Sequence, residues 1–217
     1  MQSTDQFLAF LLASFLLIQV PGPSLLFTIG RALSVGRREA MLSVAGNAIG
    51  LFVQSAVVAL GLGAIVAASE HAHDALRLIG AAYIVWLGAQ TIRRRADARV
   101  ALLSEETVQP TGVHRSLLAG FVVGSTNPKT LVFFASFLPQ FVDRDGAMPV
   151  TAQMLLLGLV FSVMGGASDG VWALVAGRAR HWFARKPERL DGLGVAGGVM
   201  MIGLGAFLAL SDTSPRH

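Results

Sequence analysis

Two ionisable residues stand where a chain this apolar has no ordinary use for a charge. Lys129 lies in Thr126-Asn127-Pro128-Lys129, inside a stretch from Ser116 to Gln140 that is otherwise dominated by Leu, Val and Phe. Asp169 lies in Gly165-Gly166-Ala167-Ser168-Asp169-Gly170, within another long apolar stretch. A charge held at membrane depth is costly and marks a functional site by default. The cation suits a carboxylate, and the carboxylate suits an ammonium or a proton. A carboxylate at this depth changes its proton occupancy with what lies beside it, which is what an exchanger of protons for amines requires. The other arrangement such a pair allows is static, Asp169 and Lys129 neutralising each other and joining two helices.

The prolines supply the second half of the chemistry. Pro128 cannot donate to a helical ladder, so the backbone around it carries free polar groups, which are tolerated in a membrane only against protein or a water-filled cavity. The first apolar stretch is broken in the same way by Pro21-Gly22-Pro23-Ser24. A helix restarting after each break offers N-terminal amides and the positive end of its dipole. With Lys129 these suit the carboxylate of a zwitterionic amino acid, and Asp169 suits its ammonium. Ser24 and Asn127 join the candidate substrate set, and Asn47 is added to it from among the weaker candidates Gln19, Asn47, Gln54, Ser125, Gln153 and Ser168, weaker because most intramembrane amides join helices.

Six apolar segments would position these residues: Phe7–Gly30, Ala40–Ala68, Ala75–Ile92, Ser116–Phe141, Val150–Gly177 and Leu190–Leu210. Each is close to the roughly 20 residues needed to span a bilayer. The expected fold is therefore an all-α membrane protein of six transmembrane helices in one domain, residues 1–217. Small residues recur four apart at Gly46/Gly50, Gly166/Gly170 and Gly194/Gly198, a spacing that lets helix backbones approach closely. Tyr83, Trp86 and Trp182 lie near segment ends, as interfacial anchors do.

Thirteen of the 17 Lys and Arg residues fall between segments one and two, three and four, or five and six. An excess of basic residues marks the cytoplasmic side, so both termini are expected to be periplasmic. Residues 1–95 then form one three-span repeat, 96–114 a cytoplasmic linker and 115–217 a second repeat of opposite orientation. The breaks at Pro21–Pro23 and Pro128 fall in the first helix of each repeat. Matched interruptions in inverted repeats point to a midplane site in a secondary transporter, reached by rocking one half against the other.

Composition argues against other classes. The pI of about 10.6 comes from short basic runs between apolar segments, which carry topology rather than a nucleic-acid footprint. The chain has no cysteine and its five histidines lie outside the six apolar segments, where loops or the tail are expected, so neither a thiolate metal site nor a serine–histidine catalytic pair is expected in the spans. No catalytic residue, metal or cofactor is called for. The alternatives to amino-acid export are export of another small solute or cation, or a structural membrane protein that transports nothing.

Four stretches together resemble the LysE/RhtB family of bacterial inner-membrane amino-acid exporters. They are Pro21-Gly22-Pro23, Ala81-Ala82-Tyr83-Ile84-Val85-Trp86-Leu87-Gly88, Thr126-Asn127-Pro128-Lys129, and Phe137-Leu138-Pro139-Gln140-Phe141. Length, segment number and Asp169 match as well. The resemblance implies efflux of amino acids or their derivatives by proton antiport from the bacterial inner membrane, with protons, lipid and one small substrate as partners and a homodimer as a possible assembly. Members often carry Asn or Gly after Pro-Gly-Pro where this chain has Ser24, which leaves the particular substrate open.

Overall fold

A computed structural model describes residues 4–20, 22–68, 70–93, 112–143, 146–178, 186 and 188–210. These residues form eight α-helices and a 3-10 turn, with no strand among them. The helices are α1 Thr4–Gln19, α2 Pro23–Ser34, α3 Arg37–Ala68, α4 Glu70–Arg93, α5 Val113–Ser125, α6 Pro128–Phe137, α7 Val150–Arg178 and α8 Arg189–Leu210; the turn, Leu138–Phe141, continues α6. Pro21, Trp182, residues 94–95 and residues 96–111 of the expected linker lie outside the described residues.

The six expected segments coincide with α1/α2, α3, α4, α5/α6, α7 and α8. Several helices run past the apolar borders: α3 starts at Arg37 rather than Ala40, and α5 at Val113 rather than Ser116. Helical hydrogen bonding does not end where hydrophobicity does, and Arg and Glu are good helix formers whose stems lie along apolar surface. Arg37–Gly61 and Val150–Ala176 are each long and apolar enough to cross a membrane, and the bent pairs α1/α2 and α5/α6 qualify when each is taken as one span. By that measure up to four spans are present among the described residues. Among the described residues of α8, Gly194–Gly203 forms a shorter apolar helix.

Both interruptions expected at proline are present. The chain bends by 51° between α1 and α2 and by 47° between α5 and α6. Pro23 and Pro128 are the first residues of the restarting helices, where a missing N–H costs nothing and a fixed φ suits the helix.

The outward faces are as apolar as the interior. Leu12, Leu60, Ile79, Val163 and Val171 are all more than 60% exposed, an arrangement suited to lipid rather than water. Association of such helices depends on close packing, and the closest lies between α3 and α5. A Cβ on Gly46 would strike the Leu117 carbonyl and one on Gly50 the Phe121 carbonyl, while Gly120 and Gly124 face the carbonyls of Ser43 and Asn47. The Gly46/Gly50 spacing is thus answered by a second glycine pair that sequence reading missed. Gly166 lies against Ala48, Gly170 has ordinary contacts, and Gly198 packs against Gly88, whose Cβ would come within 2.7 Å of the Gly198 carbonyl. α3 also packs along α7, and α4 along α8.

The buried apolar residues form two clusters. The larger one joins α1, α3, α4, α6, α7 and α8 around Phe10, Phe133, Phe134, Phe137 and Phe161. The smaller joins Leu25, Ile29, Ala32 and Leu33 of α2 to Ala40 and Val44 of α3 and Ala173 and Ala176 of α7. Along both α3 and α7 a polar layer separates them, at Asn47 and at Asp169.

Candidate functional site

The site is built where the two breaks meet. α1 ends at Gln19 with C-terminal carbonyls that have no helical partner. The Lys129 ammonium, from the first turn of α6, donates to two of the carbonyls near this end, Leu17 O at 3.1 Å and Val20 O at 2.8 Å. A cation there also meets the negative end of the α1 dipole. Gly22 makes room for it: a Cβ at that position would come within 3.2 Å of Lys129 Cε and Nζ. The glycine is needed for space, since its φ of −132° is open to any residue.

The second break is held from the opposite direction. Gln54, on α3, donates through Nε2 to Ser125 O at 3.1 Å and Asn127 O at 3.0 Å, and its Oε1 accepts from Thr130 Oγ1 at 2.6 Å. Asn127 caps α6 through Oδ1, which accepts from Lys129 N at 3.0 Å. α2 has no such side-chain cap, so the amides of Ser24 and Leu25 are the open helix N-terminus of the site. Gln54→Leu would leave the Ser125 and Asn127 carbonyls buried without this donor. We expect it to lower the melting temperature in detergent by the equivalent of about 1–3 kcal/mol, whereas Gln140→Leu at the far end of α6 should cost less.

Between the breaks runs a continuous chain of buried side chains. Asn47 Nδ2 donates to Asp169 Oδ2 at 2.9 Å, Ser24 Oγ donates to Asn47 Oδ1 at 3.1 Å, and Asn127 Nδ2 donates to Ser24 Oγ at 2.9 Å. The acceptor-only carboxylate sets the direction: Asn47 must present its amide nitrogen to Asp169, and its oxygen then accepts from Ser24. Four separate pieces of chain, α7, α3, α2 and the second break, are joined by these three bonds. Lys129 and Asp169 are both 4% exposed but form no ion pair. The ammonium goes to backbone carbonyls and the carboxylate to Asn47.

Both charged groups line one small cavity, with Ser24, Asn127 and Thr130 as its polar neighbours and Ile18, Leu25, Leu51, Phe161 and Gly165 as its apolar ones. About 20 Å³ is open to the centre of a water-sized sphere, enough for a water molecule and too little for an amino acid.

Among the candidates singled out in the sequence, Gly22, Pro23, Ser24, Asn47, Asn127, Pro128, Lys129 and Asp169 are all at or beside this cavity, and Pro21 lies outside the described residues. Gln153 is elsewhere. It holds the turn before α7 through Asp143 O and Met148 O. Gln19 joins α1 to α7, donating to Ser168 Oγ at 3.0 Å and accepting from Trp172 Nε1 at 3.3 Å. Thr130 and the apolar lining carry no sequence signal that separates them from ordinary membrane-helix residues.

Residues 15–212 match the family described as LysE type translocator. The chain belongs to that family. A homoserine/homoserine lactone efflux protein of Salmonella typhimurium is 34% identical over 209 residues, covering 96% of each chain. A membrane protein of Vibrio cholerae is 34% identical over 205 residues, 93% of this chain and 95% of its own. The threonine efflux protein of Escherichia coli K12 is 26% identical over 206 residues, 94% and 98% of the two chains. No solved structure matches. As a LysE type translocator the protein is a transporter in a membrane, and not an enzyme.

Proposed function

We propose that this translocator exports small zwitterionic amino acids or their derivatives across the bacterial inner membrane in exchange for protons. The observation that carries the reading is the cavity at the meeting of the two breaks, lined by one buried cation and one buried anion. Lys129 and the open N-terminus of α2 receive the substrate carboxylate. Asp169 receives its ammonium on the outward leg and a proton on the return. With one charge of each sign in the lining, a zwitterion leaves neither unmatched in a medium where an unmatched charge is costly. The efflux relatives handle homoserine and threonine by name, which agrees with a substrate of this size.

The mechanism is alternating access between two inverted three-span halves, residues 1–95 and 115–217, joined by the linker 96–114. The similar bends at matching places support it. So does the packing of α3 along α7 and α4 along α8, since each pair consists of the corresponding helices of the two halves. The cavity lies between the two apolar clusters, with Leu25 from the smaller and Ile18, Leu51 and Phe161 from the larger in its lining. Efflux of radiolabelled threonine, homoserine and a wider amino-acid panel from overexpressing cells, with and without a proton uncoupler, tests the proposal. Uncoupler-sensitive efflux of at least one of them is expected. Efflux of none, from cells with verified protein in the membrane, would overturn it.

The orientation is a separate expectation. Reporters fused after Arg38, Arg99 and Arg185 should read cytoplasmic, and those after Asp74, Asp145 and Ser214 periplasmic. A cytoplasmic C-terminus would end the six-span arrangement.

A further inference from the structure

A second polar cluster lies about two helical turns from the cavity and takes no part in the site. Arg31, near the C-terminal end of α2, donates through one terminal nitrogen to Glu39 Oε2 at 3.3 Å and to Ser116 Oγ at 2.8 Å. Ser116, in the first turn of α5, donates in turn to the same Glu39 oxygen at 2.7 Å. Glu39 is in the first turn of α3. The ionic side chains are each 13% exposed, so this is a largely desolvated pair with a hydroxyl inserted in it rather than a mobile surface contact.

Its place in the fold gives it a use. The Glu39–Ser116 half of the cluster spans α3 and α5, the two helices already locked backbone to backbone at Gly46/Gly50 and Gly120/Gly124. The Arg31 half attaches a different kind of element. α2 is twelve residues long, joined to α1 through a break, with Ser24 at the site and Arg31 seven residues on, roughly 10 Å at 1.5 Å per residue. Between those two residues α2 contributes Leu25 and Ile29 to the smaller apolar cluster, which borders the cavity on this side. That cluster has eight buried residues among those described, against eighteen in the larger one on the other side. The thinner packing is therefore the one with an ionic fastening at its rim.

We infer that Arg31, Glu39 and Ser116 form a gate latch: Arg31 fastens the half-helix α2 to the α3–α5 pair, and its release lets α2 swing away and open the cavity on the side that carries Arg37 and Arg38. This rests on the reading of the cavity as the transport site. For the C-terminal end of α2 to leave, Arg31 must exchange Glu39 and Ser116 for water, and each hydrogen bond to a charged group resists that exchange. The latch thus holds the carrier shut on this side without touching substrate.

The chain has no cysteine, so one thiol can report access. Ser24→Cys places it in the cavity, and a membrane-impermeant maleimide is applied separately to right-side-out and inside-out vesicles. Adding Glu39→Gln or Arg31→Met should speed labelling from the Arg37/Arg38 side about tenfold and leave the opposite side unchanged. The charge-exchanged pair Arg31→Glu with Glu39→Arg should return it toward the slow rate. Ser116→Ala, which keeps both charges and is the fallback if a charge variant does not accumulate, should give a smaller one-sided rise. Equal acceleration from both sides would mean a merely structural tie and overturn the proposal, as would labelling at the parent rate in all variants. The readout needs no substrate, so a protein that exports no amino acid but shows one-sided opening loses the proposed function and keeps the gate.

Discussion

Asp169→Asn is expected to abolish net export driven by a pH gradient while counterflow exchange of substrate persists. The asparagine holds the position permanently neutral, so it offers nothing for a transported proton to leave or join. Exchange of one substrate molecule for another requires no proton release and continues, with weaker binding where the ammonium has lost its counter-charge. The expected loss of coupled transport is complete within the sensitivity of a vesicle assay. The structure also fixes what should happen to the fold. Lys129 is bound by the Leu17 and Val20 carbonyls rather than by Asp169, and an asparagine oxygen still accepts from Asn47. Protein level and melting temperature should therefore stay near those of the parent, within about 1–2 kcal/mol. A static charge pair predicts the opposite: removing one partner of a buried pair costs about 3–5 kcal/mol, and adding Lys129→Met would restore stability. Stable Asp169→Asn protein with pH-driven export intact would sink the coupled-carboxylate assignment.

The largest stability effect is expected at Gly120. A methyl group there points at the Ser43 carbonyl, and the obstacle is backbone of a neighbouring helix that no rotamer change can move. Gly120→Ala should cost about 3 kcal/mol, the upper end of what overpacking usually costs, with a matching fall in membrane accumulation. Gly46→Ala should behave alike through the Leu117 carbonyl. Gly61→Ala, also on α3 but with open space around the added carbon, should be neutral or slightly stabilising, because alanine is the better helix former. If thermal melts of Gly120→Ala and Gly61→Ala coincide, the α3–α5 contact is looser than described.

The helices, their borders to within a few residues and both interruptions were legible in the sequence, because apolar length and proline are local signals. That Ser24, Asn127, Lys129 and Asp169 would meet was legible from the two charges and the two proline breaks together, since buried charges and broken helices in a membrane have few places to go. What Lys129 binds was not. Leu17 and Val20 contribute backbone oxygens, and a carbonyl has the same sequence signature everywhere. Gln54 looked like any amide that joins helices, and its role at the second break depends on a long-range approach of α3 that only packing determines. Gly120 and Gly124 were passed over beside the equally spaced Gly46 and Gly50, although the two pairs need each other. Arg31 was read as a marker of topology, and its second use depends on Glu39 and Ser116 arriving from other helices.

The glycine-lined contact of α3 with α5 also bears on how this scaffold can acquire new cargo. A joint made of backbone alone has no side chains to retune, so it tolerates almost no variation. Asn47, whose own carbonyl faces Gly124, shares that constraint, and through its hydrogen bond so does Asp169. Side-chain preference is then open to change elsewhere in the cavity lining, at Leu25 on α2, Thr130 on α6 and Phe161 and Gly165 on α7. A library confined to those four positions would explore side-chain preference while leaving Asn47, Lys129 and Asp169 unchanged. One spread evenly along the chain would be spent mostly on proteins that never assemble.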